Sequence, residues 1–322
     1  MTSVAGRQLC LLSGRVHPEL AQEVAKVLGT KLCGIKLSNF ANGEISCRIN
    51  ESVRGSDVFI IQSHAGNVND ALMEQAIIID AAKRASAASI TAVCPFLGYA
   101  RQDRKSNGRE PITAKLAVDL LAIAGADRIM SIDLHSGQTQ GFFNGPFDHL
   151  IAMPTMVDYI KHTFKNTDDV VIVSPDAGRV KTAERYGSAL NCDIAIIHKQ
   201  RSTTKHNDVE AKYLIGEVTG KICIVIDDMI DTAGTICSAA DLLAEHGAKA
   251  IYGIATHGVF SDPAIERIEK SAFSKVVVTN TLPEHVGKSS KIETLSIAPL
   301  LGNAIGAIFT GQSVSKLFDG KN

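Results

Sequence analysis

The stretch "IVIDDMIDTAGT" (224–235) gathers three carboxylates, two threonines and a glycine at the end of an apolar run. Each part has a chemistry. The backbone N–H groups and hydroxyls of Thr232, Ala233, Gly234 and Thr235 lead into the helix-forming "TICSAADLLAEHG", and can cradle a monophosphate at the positive end of that helix. Asp227, Asp228 and Asp231 would repel such a phosphate, but carboxylates are good acceptors for vicinal hydroxyls. Together they read as a pocket for a phosphorylated sugar, with the acids on the sugar side. An isolated "DTAGT" is as readily a solvated turn that caps a helix. The apolar residues and the Asp-Asp pair before it make the sugar-phosphate reading much more specific.

Other residues suit the same kind of chemistry. "ARQDRKSNGRE" (100–110) carries Arg101, Arg104, Lys105 and Arg109, with Asn107-Gly108 as a turn and Pro111 ahead of a helix. Alone it reads as a solvated, mobile loop; with a polyphosphate it can fold over the ligand and exclude water. His135 follows Asp133 by two residues at a strand end, so period-two geometry puts both on one side. A lone histidine there is more often structural than a ligand. Asp176 ends "VVIVSPD", and Ala177-Gly178 behind it can form a backbone nest for anions. Lys199 and Arg201 also alternate; they can share one cleft or be two solvated charges at a strand end.

These residues need a frame to position them. Short β-branched runs occur at 57–64, 89–96, 128–135, 169–176, 192–199, 221–228, 250–258 and 275–281, with helix-length segments such as 69–85 and 113–126 between many of them. In 113–126, Leu116, Leu120, Leu121 and Ile123 are expected on one buried face. Alternating strand and helix implies an α/β fold of mainly parallel sheets covered on both faces. Ligands in such sheets sit beyond the carboxyl ends of the strands, where the polar residues collect. "DVFIIQSHAGNVNDAL" (57–72) aligns without gaps on "KICIVIDDMIDTAGTI" (221–236), a faint repeat. Ser63, His64 and Asn67 then stand opposite Asp227, Asp228 and Asp231, so the first copy is degenerate for this site.

The bulk properties agree. A chain of 322 residues suggests about two domains. With 45% hydrophobic and 21% charged residues and a formal net charge of -1, nothing points to nucleic acid or an acidic membrane as partner. The seven cysteines form no zinc or C-x-x-C spacing and read as reduced residues of a cytoplasmic protein. No signal peptide or membrane span is expected.

"VIDDMIDTAGT" resembles the phosphoribosyl-pyrophosphate motif of phosphoribosyltransferases and of the ribose-phosphate diphosphokinases. "PFLGYARQDRK" (95–105), "DLHSGQTQGFF" (133–143), "IVSPDAGR" (172–179), "IIHKQR" (196–201), "FANGE" (40–44), "NESVRG" (50–55), "THGVFS" (256–261) and "VVVTNT" (276–281) are similar to segments of the latter, in order along nearly the whole chain. The resemblance implies two similar phosphoribosyltransferase-like domains, 1–150 and 151–322, with a final helix over about 303–318 able to pack back on the first. It implies a transferase and kinase of nucleotide biosynthesis. This would move the diphosphoryl group of Mg-ATP to the 1-hydroxyl of ribose 5-phosphate.

By the same resemblance Lys199 and Arg201 are catalytic, and Arg201 also touches ribose 5-phosphate with Asp227, Asp228, Asp231 and Thr232 to Thr235. ATP falls to Arg101, Gln102 and Asp103, and its adenine to Asn42, Gly43 and Glu44 with Phe40 stacking, from a neighbouring subunit. Mg²⁺ falls to His135 and Asp176, with Asp133 and Asp148 as further candidates; Asp176, Ala177 and Gly178 form the pyrophosphate loop. Ser52, Arg54, Ser313, Ser315 and Phe318 match an allosteric phosphate and ADP site. A homo-oligomer built from dimers is implied, a hexamer among the arrangements. Two departures stand out: Arg179 where the family often has a second glycine, and Asn144 where it often has aspartate. The alternatives are a phosphoribosyltransferase, which lacks the need for the 101–110 loop, and a non-catalytic paralogue.

Overall fold

The computed structural model describes residues 3, 4, 6–200, 211–283 and 289–318. The chain forms two compact units, each an α/β sheet flanked by helices.

The first unit contains β1 (Ser3–Val4), β2 (Arg7–Ser13), α1 (Pro18–Val27), β3 (Ile35–Asn39), β4 (Ile45–Ile49), β5 (Ser56–Ile61), α2 (Val68–Arg84), β6 (Ser89–Cys94), α3 (Thr113–Ala124), β7 (Arg128–Ile132) and β8 (Phe147–Leu150). Its sheet runs β1-β2-β5-β6-β7-β8, parallel from β2 onward. β3 and β4 form a separate antiparallel hairpin. Every residue of β5 is buried. A continuous apolar run, rather than an alternating one, is what a parallel strand covered on both faces requires.

The second unit contains α4 (Met153–Thr163), β9 (Val170–Ser174), α5 (Val180–Leu190), β10 (Asp193–Gln200), β11 (Ala211–Ile215), β12 (Ile222–Ile230), α6 (Gly234–Glu245), β13 (Ala250–Gly258), α7 (Ala264–Lys270), β14 (Lys275–Thr279) and β15 (Ile292–Leu295). Its sheet runs β11-β10-β9-β12-β13-β14-β15, with only the β10–β11 pair antiparallel among the described strands. Met156, Ile160, Ala183 and Leu190 cover one face, and Ile236, Ala240, Leu243 and Ile268 the other.

The chain then supplies the first unit with α8 (Ala298–Thr310). Asn280–Pro283 and the chain from Ser296 group with the first unit, while the second begins at Met153. The reason is burial. α8 is apolar on most sides, and Leu301, Ala304 and Ile305 are fully buried with Leu20 and Val24 of α1 in one core. Without α8, that face of the first sheet would lose much of its cover.

All of the expected strands are present. The strands not expected from sequence are β2, the hairpin pair and the edge strands β1, β8, β11 and β15. The buried face of α3 is not the expected one. Leu121 is fully buried beside Ala114, Ala117 and Val118, while Leu116 is 66% and Ile123 80% exposed. Four leucines and isoleucines within eight positions cannot all share one helical stripe, and the small residues Ala114 and Ala117 take the close contact instead. In dilute solution, Leu121→Ala should therefore cost about 2–5 kcal/mol of stability, whereas Leu116→Ala should change it by less than about 0.5 kcal/mol. Equilibrium denaturation of the two variants checks this; equal losses would contradict the helix orientation.

Candidate functional site

The order of the second sheet marks where a ligand can enter. From β9 the chain winds to β10 and β11 on one side, then returns to β12 and winds to β13, β14 and β15 on the other. The crossovers after β9 and β12 therefore diverge, which opens a crevice beyond the carboxyl ends of these two strands. Asp176 follows β9, and Asp227, Asp228 and Asp231 lie at the end of β12. The sequence reading had the strand stop at the Asp pair. Instead β12 continues to Ile230, because Asp227 pairs with Ala255 and Ile230 with Gly258 of β13.

The turn after β12 has the geometry of an anion nest. Ala233 is left-handed at φ 59°, and α6 starts at Gly234 with no side chain capping its first N–H groups. Thr232 and Thr235 are exposed. Arg267 of α7 donates from Nη1 to the Thr232 carbonyl at 2.9 Å, and a Cβ on Gly234 would lie 3.3 Å from that same nitrogen. Sequence reasoning missed this cation. It lies a helix and a strand away from the nest, and no local signal connects the two.

The acids are held by a second arginine. Arg179 donates from Nε to Asp227 Oδ1 at 3.1 Å and from Nη2 reaches Asp228 Oδ1 at 2.5 Å. The same oxygens also accept backbone N–H groups, Asp227 Oδ1 from Asp228 at 2.8 Å and Asp228 Oδ1 from Met229 at 2.9 Å. Burial and then the adjacent Asp228 charge push the Asp227 carboxyl up to about 7, against the pull of Arg179. Burial works against the Arg179 charge as well, but Asp228 and Asp227, and Asp176 more weakly, hold its pKa above the ordinary range. The arginine that departs from the family pattern therefore points into the site.

Asp176 opens a short 3-10 turn, Ala177–Arg179, and its Oδ1 accepts the Gly178 N–H at 2.8 Å. One donor of the expected pyrophosphate nest is thus capped by the loop's own acid. Lys199 lies near the end of β10 by its backbone, opposite Lys212 of β11. Arg201 lies outside the described residues.

In the first unit the strand alternation expected to set Asp133 and His135 on one side ends early. β7 stops at Ile132, and Asp133 takes φ 37°, which breaks the alternation between Asp133 and His135. Asp133 Oδ2 accepts the Ala152 N–H at 3.1 Å, and Asp148 is ion-paired with Arg128 at 2.6 Å at the amino ends of β7 and β8. His135 is exposed. Among the described residues no group of three or more His, Cys, Asp or Glu is placed to hold a metal ion.

The 100–110 loop is organised rather than featureless. Glu110 accepts the N–H groups of Ser106 and Asn107 at 2.8 and 2.9 Å, and Gln102 accepts a hydrogen bond from the Thr113 hydroxyl at 2.5 Å. Arg101, Gln102, Arg104, Lys105 and Arg109 are exposed, and Asp103 is half-buried. Asn42, Gly43 and Glu44 form the tip of the β3–β4 hairpin, where Gly43 has φ 93° and Phe40 is 59% exposed. Ser52, Arg54, Ser313 and Ser315 are exposed, whereas Phe318 is buried in the α1–α8 core and anchors the tail. His64, opposite Asp228 in the repeat, is fully buried: Nδ1 accepts the Gly98 N–H at 3.0 Å and Nε2 meets Gln75 Oε1 at 2.8 Å. The degenerate copy thus ties down the start of the cationic loop.

Paired acids and anion nests beyond parallel strands define an α/β protein of the class that handles phosphorylated ligands at that edge. A family model for the N-terminal domain of ribose phosphate pyrophosphokinase matches residues 9–125, and one for a phosphoribosyl synthetase-associated domain matches 211–319. A ribose-phosphate pyrophosphokinase of Bifidobacterium longum is 52% identical over 316 residues, 97% of this chain and 93% of its own. One of Corynebacterium glutamicum is 52% identical over 98% of this chain and 97% of its own. The crystal structure of phosphoribosylpyrophosphate synthetase from Mycobacterium smegmatis matches with a TM-score of 0.89 at 50% identity, covering 95% of this chain and 100% of that one. The chain belongs to the ribose-phosphate pyrophosphokinase family.

His64 yields a pH prediction. Burial lowers its pKa from 6.5 to about 4, so the folded chain resists a proton that the unfolded chain accepts. Stability present above about pH 6.5 should fall as the pH drops to about 4, by an amount on the order of 3 kcal/mol. His64→Asn should lack this part of the slope. Denaturation curves across that window compare the two, and identical slopes would refute the buried neutral ring.

Proposed function

We propose that this chain transfers the diphosphoryl group of Mg-ATP to the 1-hydroxyl of ribose 5-phosphate, giving 5-phosphoribosyl 1-diphosphate and AMP. One observation carries the reading. In a chain matching pyrophosphokinases over nearly its whole length, paired acids, an anion nest and the 176–179 loop meet at one crevice. Asp227, Asp228 and Asp231 accept the sugar hydroxyls. Thr232 to Thr235 hold the 5-phosphate, with Arg267 beside them. The sugar oxygen attacks the β-phosphorus, the bond from that phosphorus to the AMP oxygen breaks, and the hydroxyl proton leaves to solvent or a base.

Charge shifts onto the bridging and equatorial oxygens in this loose transition state, so cations placed there lower the barrier. Lys199 and Arg201 supply them. Arg101, Gln102 and Asp103 hold the ATP phosphates, and Asn42, Gly43, Glu44 and Phe40 the adenine. Mg²⁺ neutralises the phosphates when bound. Mg²⁺ is usually held by one or two carboxylates plus substrate phosphates. Its candidate ligands are His135 and Asp176, with Asp133 and Asp148 as further candidates, the last engaged by Arg128.

The chain assembles as a homo-oligomer of dimers with the adenine site shared between subunits, and the 59% exposure of Phe40 leaves its ring open to stack on the base. Ser52, Arg54, Ser313 and Ser315 are candidates for allosteric phosphate and ADP binding. The reduced cysteines suit the cytoplasm.

Release of AMP from Mg-ATP that depends on ribose 5-phosphate tests the reaction directly, and its absence would remove the proposal. Asp231→Asn should weaken ribose 5-phosphate by a factor corresponding to about 1.5–3 kcal/mol, with ATP much less affected; equal effects on both KM values would count against the sugar assignment. Lys199→Ala should lower kcat by about 10³ or more with small changes in KM. A defect that saturating substrate restores would show that Lys199 merely binds.

A further inference from the structure

Among the described residues, Arg179 is a strongly held charge in the crevice to which the reaction as described assigns no task. It bridges the two acids assigned to the sugar, and it belongs to the loop assigned to the diphosphate. Both contacts are to Oδ1 atoms that already accept a backbone N–H, so each of these oxygens carries two donors. An sp² carboxylate oxygen has two lone pairs. A sugar hydroxyl can reach either Oδ1 only by taking the place of the guanidinium.

The carboxylates exchange an N–H donor for an O–H donor. The guanidinium exchanges two carboxylates for the oxygens of a diphosphoryl group entering its own loop, a geometry for which its planar fork is well suited. The loop shows the same arrangement on its other side, where Asp176 Oδ1 caps the Gly178 N–H that a phosphate oxygen would otherwise take. Two arrangements of similar pairing form a bistable element that ligands can bias.

On the functional reading above, we infer that Arg179 is a transferable cation: it holds Asp227 and Asp228 until the sugar hydroxyls replace it, and then binds the diphosphoryl group at the 176–179 loop. Sugar binding thereby prepares the loop for the group to be transferred, and each ligand strengthens the other. The glycine that the family often carries at this position cannot do this, so the coupling is a property of the arginine.

The test is calorimetry on the full-length chain with Mg²⁺. Ribose 5-phosphate is titrated with and without α,β-methylene-ATP, whose α–β linkage resists cleavage. The wild type should bind the sugar phosphate at least about fivefold more tightly with the analogue present, the lower end of ordinary coupling. The reciprocal titration should give the same factor. Arg179→Met should still bind ribose 5-phosphate alone but with a ratio near one, and Arg179→Lys should restore part of the coupling. The inference is overturned if the wild-type ratio is near one or if Arg179→Met keeps the full ratio. It is also overturned if a folded Arg179→Met, with an unchanged melting curve, no longer binds ribose 5-phosphate, since Arg179 would then only hold the acids in place. A wild type that binds no ribose 5-phosphate would instead refute the functional reading itself, and the inference with it.

Discussion

A parallel sheet covered by helices on both faces has no room for charge except at its ends. β5 and β9 are buried at every position, so the groups that must meet water or ligand are displaced to where strands begin or stop. At the amino ends this produces structural ion pairs, Arg7 with Asp57 and Arg128 with Asp148. At the carboxyl ends it produces the loops that carry the candidate chemistry. The same constraint explains why α8 joins the first unit. A sheet with one bare face would leave Leu9, Phe59, Val93 and Met130 wet, and these are fully or almost fully buried.

The two units use one local frame for different ends. In both, a strand, a turn and the start of a helix align without gaps across 57–72 and 221–236. In the second unit the matching positions near the end of the strand are the acids Asp227 and Asp228, which share one arginine. In the first, His64 takes the place of Asp228, is buried and stays neutral. Its contact with the Gly98 N–H explains that glycine. A Cβ at Gly98 would come within 2.9 Å of His64 Cβ and 2.8 Å of Val68 Cγ1. One copy thus became a brace for the cationic loop while the other kept its acids.

The charge balance of the second site follows from burial. Two adjacent carboxylates near the end of a buried strand lose hydration and repel each other. Burial first and then the Asp228 charge push the Asp227 carboxyl up to about 7, and Arg179 opposes this without cancelling it. A site of this kind favours ligands that bring hydroxyl donors to the acids and anions to the arginine.

Much of this was legible from the sequence because it is local. Strand after strand followed from β-branched runs, and the tight turn into α6 followed from Thr-Ala-Gly-Thr before a helix, since turn geometry depends on a few consecutive residues. The sequence also determined the family, through motifs spread in order along the chain. What it could not determine were relations between distant segments. Asp133 and His135 looked like alternating strand residues, but pairing with β8 ends β7 at Ile132. Leu116 and Leu121 look alike as letters, and only the sheet beneath α3 decides which is buried. Arg267 reaches the nest, and Arg179 the acids, because β13 and β9 lie beside β12. Contacts of that kind are set by the order of strands in the sheet, which the tertiary structure alone decides.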